Sequence, residues 1–71
     1  MSELWRVPVA SKMVAEVAYT DAGEMLVTFA NGKQGAYSDV PEDVALRLSK
    51  APSVGNMMHA EIIPQYAFRK L

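Results

Sequence analysis

Val27-Thr28-Phe29-Ala30-Asn31-Gly32-Lys33-Gln34-Gly35-Ala36-Tyr37-Ser38-Asp39-Val40-Pro41-Glu42-Asp43-Val44 is the stretch that decides the fold. It opens with a period of two, Val27 and Phe29 against Thr28 and Ala30, as a strand requires. Asn31-Gly32 is the strongest short hairpin signal, because both central residues of a type I′ turn take positive φ. Residues 33–37 then predict a returning antiparallel strand, in which Gly35 marks a bulge or a close approach to the backbone. Ser38-Asp39-Val40-Pro41-Glu42-Asp43 reads as a helix start. Proline suits the first helical position, where its missing N–H has no bond to lose. Glu42 and Asp43 face the positive end of the helix dipole.

Working outward, Met13, Ala15, Val17 and Tyr19 alternate with Val14, Glu16, Ala18 and Thr20, which predicts a further strand before an Asp21-Ala22-Gly23 turn. If Met25, Val27 and Phe29 face the helices, Leu26, Thr28 and Ala30 face out. Beyond the helix start, Val44, Ala45, Leu48 and Ala51 form one apolar stripe, with Leu46 off it. Lys50 suits the helix end and Pro52 stops it. Ser53 can cap a second, shorter helix over roughly residues 54–63, which Pro64 ends. Leu4-Trp5-Arg6-Val7-Pro8-Val9 is β-prone, but Pro8 demotes residues 1–12 to an edge strand or an extended arm. Residues 65–71 carry Tyr66 and Phe68 in alternation, followed by Arg69-Lys70, and read as a short strand or a tail. The expected fold is a single α+β domain. It has a three-stranded antiparallel meander, one main helix and a second short helix packed on one face, and room for a short extra strand from a terminus.

Composition narrows the function. At 71 residues the chain buries only about 60% of its unfolded surface, so its stability margin is thin. It has no cysteine and a single histidine, His59, which excludes disulfides, thiolate zinc sites and a multi-histidine site within one chain. Seven Lys+Arg against eight Asp+Glu give a formal net charge of -1, without the basic excess of most nucleic-acid modules. Only local cation groups remain, at Arg69-Lys70 or at Arg6 and Lys12. No apolar run approaches the roughly 20 residues of a membrane span, and no secretory signal is visible. The expectation is a soluble cytoplasmic protein that does not bind membranes and is a monomer when free.

Catalysis needs a nucleophile, a base and an orienting group. His59 is the one candidate base at neutral pH, and Ser11, Ser38, Ser49 and Ser53 each have a simpler turn or cap role. Asp39, Glu42 and Asp43 cluster where dipole stabilisation already explains them. Gly32-Lys33-Gln34-Gly35 is a hairpin and not a phosphate loop. The expectation is therefore a non-enzymatic protein with no cofactor and no metal. Binding is the class left. Leu26, Ala30, Leu46 and Val14 are the candidate exposed apolar residues, which mark an interface if they cluster. Trp5 either folds back over the core or anchors a partner. Met57-Met58 reads as core filling.

Four segments carry a family resemblance: Val17-Ala18-Tyr19, Val27-Thr28-Phe29-Ala30-Asn31-Gly32, Ala36-Tyr37-Ser38-Asp39-Val40-Pro41 and Ala51-Pro52-Ser53-Val54-Gly55. Their ordered spacing resembles the KTSC domain, a short family of free-standing bacterial and phage proteins also found appended to some lysyl-tRNA synthetases. The resemblance implies a non-catalytic module, for which RNA binding has been proposed. The chain departs from the family pattern where a tyrosine pair is expected, since only Tyr37 is present and Gly35 stands at the first position. Ala36 replaces an often basic residue, and Asn56-Met57-Met58-His59-Ala60-Glu61 replaces an aromatic and basic run. Those are the residue types an RNA surface uses, so the departures favour a protein partner.

Size, charge and free-standing form are also similar to a small phage-encoded transcription regulator, known from a phage of Xanthomonas. It binds host RNA polymerase, inhibits initiation and suppresses intrinsic termination. That likeness implies host RNA polymerase as partner and a contact surface of Trp5, Arg6, Val7, Leu26, Ala30 and Leu46. RNA binding is the alternative, through Arg6, Lys12, Tyr66, Arg69 and Lys70.

Overall fold

Two hairpins of the same design set the sheet. The computed structural model describes residues 2–71, with strands β1 (Glu3–Pro8), β2 (Val14–Thr20), β3 (Met25–Phe29), β4 (Gln34–Tyr37) and β5 (Phe68–Lys70). Helices α1 (Glu42–Ser49) and α2 (Val54–Met57) lie between β4 and β5, and a π-helical turn, Met58–Ile62, follows α2. In the β3–β4 hairpin, the Gly32 N–H donates to the Phe29 carbonyl at 2.9 Å and the Phe29 N–H donates to the Lys33 carbonyl at 2.8 Å. Only Gly32 in this loop takes positive φ, +88°. The loop is therefore a three-residue turn closed by a glycine bulge, not the two-residue type I′ turn expected from Asn31-Gly32. The β2–β3 loop repeats it, with Gly23 at +78° and the Gly23 N–H bonded to the Thr20 carbonyl. These turns fix the register. Val17 pairs with Val27 and Tyr19 with Met25 on one face, while Ala18 pairs with Leu26 on the other.

The sheet has five antiparallel strands in the order β1-β2-β3-β4-β5. This corrects the expected three-stranded meander, because each terminus contributes a full sheet member. On the β1 side the reason is the phase of Pro8. The Val9 N–H donates to the Ala15 carbonyl at 3.1 Å, so the alternation of an antiparallel ladder turns residue 8 outward. The N–H that proline lacks would have pointed at solvent, and no ladder bond is lost.

On the β5 side the reason is Gly35. The bare backbone there receives the Phe68 ring, and a Cβ on Gly35 would stand 2.1 Å from that ring. Phe68 then rests on Tyr37 with centroids 5.0 Å apart, and meets Phe29 edge-on at 6.4 Å. Gly35 thus marks a close approach, and β3 and β4 pair through it without a bulge. In Gly35→Ala the Phe68 ring must swing off its shelf. The expected loss is about 0.5–1.5 kcal/mol, the usual value of an aromatic pair. Urea unfolding measures the loss, and faster amide exchange along β5 identifies its origin.

All helices cover the face that carries Val17, Tyr19, Met25, Val27 and Tyr37. Pro41 is the N-cap of α1 rather than its first helical residue, with extended ψ of 143°. The chain is held there from the sheet: the buried Tyr19 hydroxyl donates to the Val40 carbonyl at 2.7 Å, and the Val40 N–H donates to the Gly23 carbonyl at 3.1 Å. Ala45 and Leu48 of the α1 stripe are buried, and Val44 and Ala51 pack at its margin. Ser53 caps α2 by accepting the Asn56 N–H at 3.3 Å. The second helix is not one continuous α-helix over residues 54–63. After Met57 it widens, and the Ile63 N–H reaches back five residues to the Met58 carbonyl at 2.8 Å. Val54, Met57, Met58 and Ile62 are all core residues.

Candidate functional site

β1 presents its three candidate residues to opposite faces. Trp5 and Val7 pair with Tyr19 and Val17, on the helix side. The indole stacks on the Tyr19 ring with centroids 5.9 Å apart and planes 17° from parallel. Its Nε1–H donates to Glu42 Oε2 at 3.0 Å. Trp5 therefore clasps β1 to the first turn of α1, and Glu42 has a partner as well as a place at the helix dipole.

Arg6 points to the other face. Its Nε–H donates to Glu3 Oε1 at 2.8 Å, Nη2 meets Glu3 Oε2 at 2.6 Å, and Nη1 meets Glu16. The hydrogen bonds from Glu3 and Glu16 hold the guanidinium well above its usual value. Hydrogen bonding to Arg6 holds the Glu3 carboxyl below the usual carboxylate range. A depressed carboxyl contributes stability above its unfolded pKa, and that contribution is lost as pH falls through the folded value. Glu3→Gln is thus expected to be less stable than the parent at neutral pH and equal to it in acid. Urea midpoints at the two pH values check this.

The face without helices is a cross-strand row. Arg6, Ala18, Leu26, Ala36 and Arg69 stand side by side across the five strands. Arg69 Nη2 donates to both Glu24 oxygens, at 3.0 and 2.9 Å. The row therefore has a guanidinium neutralised by carboxylates at each end and a small apolar middle. Leu26 is half-buried in it, and Ala36 is fully covered.

The other candidates do not join this row. Ala30 lies exposed in the β3–β4 loop. Leu46 is 38% exposed on α1, on the opposite side of the sheet from Leu26. Val14 is 0% exposed and belongs to the core, which corrects its place among the exposed apolar residues. Strand alternation put Val14 on the outer face, but the β2–β3 register shifts between Val14 and Glu16 and turns it inward.

The residues considered for RNA are also dispersed. Arg6 and Arg69 are in ion pairs. Tyr66 packs against the core. Lys12 lines an open groove of about 300 Å³ between the β1–β2 loop and the Ser53 cap, while Lys70 is at the far edge, on β5. Among the described residues no group of three or more His, Asp or Glu side chains is placed to hold a metal ion. Among the described residues no helix is long and apolar enough to cross a membrane.

Sequence reasoning missed the C-terminal apolar surface. Phe68 is 51% exposed and Leu71 54% exposed, at the edge formed by β5. The alternation of Tyr66 and Phe68 was a signal for a strand. The glycine that accommodates it lies far away in sequence, at Gly35.

Compared with protein-family models, residues 10–66 match the KTSC domain. Among solved structures, the crystal structure of a KTSC domain protein from Yersinia pestis aligns with a TM-score of 0.87 at 25% identity, covering 94% of this chain and 96% of that one. No curated protein sequence matches the chain.

Proposed function

The chain belongs to the KTSC domain family, and on that premise we propose that it is a non-catalytic module that regulates transcription by docking on bacterial RNA polymerase. The carrying observation is how the surface divides its charged and apolar groups. The two arginines that would grip phosphates, Arg6 and Arg69, already hold carboxylates. Among the described residues five large apolar side chains, Leu4, Leu46, Ile63, Phe68 and Leu71, are exposed instead. Burying one or two of them, with polar contacts around them, suffices for a micromolar complex at about -8 kcal/mol. The polymerase as partner is supported by likeness in net charge and in the lack of cysteine to the small phage-encoded regulator. Inhibited initiation and suppressed intrinsic termination are the expected consequences. Affinity capture from a bacterial lysate tests the reading. Near-stoichiometric recovery of polymerase subunits is expected, and their absence overturns it.

Direct RNA binding is the competing reading. Lys12 and Lys70 favour it, since neither has a carboxylate partner among the described residues. It requires an affinity for single-stranded RNA that falls steeply with salt. The expected result is no measurable RNA binding even at low salt.

A further inference from the structure

The two edges of the sheet are built differently, and the geometry points to β5 as a docking edge for an extended segment of a protein partner, one carrying an acidic residue two positions before an apolar residue. The proposal deepens the protein-binding reading and rests on it.

An exposed strand edge is a template for another strand unless it is blocked. β1 is blocked. Pro8 removes an outward N–H, and the pairing with β2 is irregular between Glu3 and Trp5.

β5 has no proline and pairs regularly with β4. The Ala67 carbonyl accepts the Ser38 N–H at 3.0 Å, and the Leu71 N–H donates to the Gln34 carbonyl at 3.1 Å. Residues 67, 69 and 71 therefore bond inward, and the N–H and carbonyl groups of Phe68 and Lys70 point outward. All three β5 residues are exposed. An added antiparallel strand would satisfy those outward groups.

Its side chains are specified by what stands beside them. Phe68 and Lys70 share the helix-side face, and Arg69 is on the other. A residue opposite Phe68 lies against a ring already supported by Tyr37 and Phe29, which suits an apolar side chain. The residue opposite Lys70 meets a cation with no carboxylate partner among the described residues, which suits an acidic one. In the antiparallel sense the acidic residue precedes the apolar one by two positions. Main-chain bonds supply affinity and the alternate pockets supply selectivity, as in other strand-addition modes.

The test uses the full chain and a capped peptide, Ser-Thr-Glu-Thr-Phe-Thr-Ser, followed by amide shifts. Saturable shifts are expected at residues 34–37 and 68–71, with a Kd of about 1 mM or below. Lys70→Pro removes an outward N–H and no ladder bond, so the fold persists and binding is lost. Lys70→Glu weakens binding about threefold or more, and a peptide with lysine in place of its glutamate restores it. Three results overturn the proposal. One is an absence of shifts along this edge. Another is undiminished binding by Lys70→Pro. The third is concentration-dependent protection of β5 in the peptide-free chain, which assigns the edge to a second copy. Polymerase plays no part in the peptide titration. Failure of polymerase capture and failure of strand addition are therefore separate results.

Discussion

Truncating Leu48 to alanine is expected to remove about 2–5 kcal/mol of stability. Leu48 is 0% exposed and extends from α1 into the core, where Val17, Met25 and Val27 line the sheet side. Removing its terminal carbons loses their transfer energy and leaves a cavity that a close-packed interior only partly fills. The fraction lost matters more than the amount. At about 0.05–0.15 kcal/mol per residue, a chain of 71 residues holds on the order of 4–10 kcal/mol in total. It has no disulfide to fall back on. Urea unfolding followed by the fluorescence of Trp5 should show a lower midpoint with an unchanged slope. Leu46→Ala is the control, since Leu46 lies on the same helix but faces solvent and should change stability by no more than about 0.5 kcal/mol.

Tyr19→Phe is the second large effect, at about 1–3 kcal/mol for one atom removed. Burial raises the Tyr19 hydroxyl above its ordinary range, and the nearby Glu42 and Asp43 charges add to this. The hydroxyl therefore stays protonated and donates to the Val40 carbonyl. The phenylalanine variant leaves that carbonyl without its donor, in a segment where Asp39 holds a positive φ of 56° and no side chain caps α1. The aromatic ring remains, so the stack under Trp5 survives. The signature is thus a loss of stability with little change in the native Trp5 spectrum. A spectral change as large as that of unfolding would mean that the ring, and not the hydroxyl, was the working part.

Local rules carried the reading of the chain where the physics is local. Alternation located β2 and β3 and their two faces. Gly23 and Gly32 located the turns, and the stripe through Ala45 and Leu48 located the buried side of α1. What stayed hidden depends on contacts distant in sequence. Pro8 argues against a strand until the phase of the ladder is known, and only the Val9–Ala15 bond supplies that phase. Gly35 signals a close approach but not the ring that makes it, which is Phe68. The five-stranded sheet was therefore read as three. The charges behaved the same way: Arg6 and Arg69 look like free cations in a list of residues. The pairing of Arg6 with Glu16 and of Arg69 with Glu24 comes from strand register, while Glu3 lies only three residues from Arg6. Trp5 was legible as either a core cover or an anchor, and the Tyr19 stack with the Glu42 bond places it over the core.

Amide hydrogen exchange of the intact chain, alone, with purified bacterial RNA polymerase and with single-stranded RNA at low salt, tests the central claim most directly. Docking on polymerase predicts protection of one contiguous set of surface amides with polymerase and no change with RNA. No protection by polymerase, or protection by RNA around Lys12, Arg69 and Lys70, would contradict it.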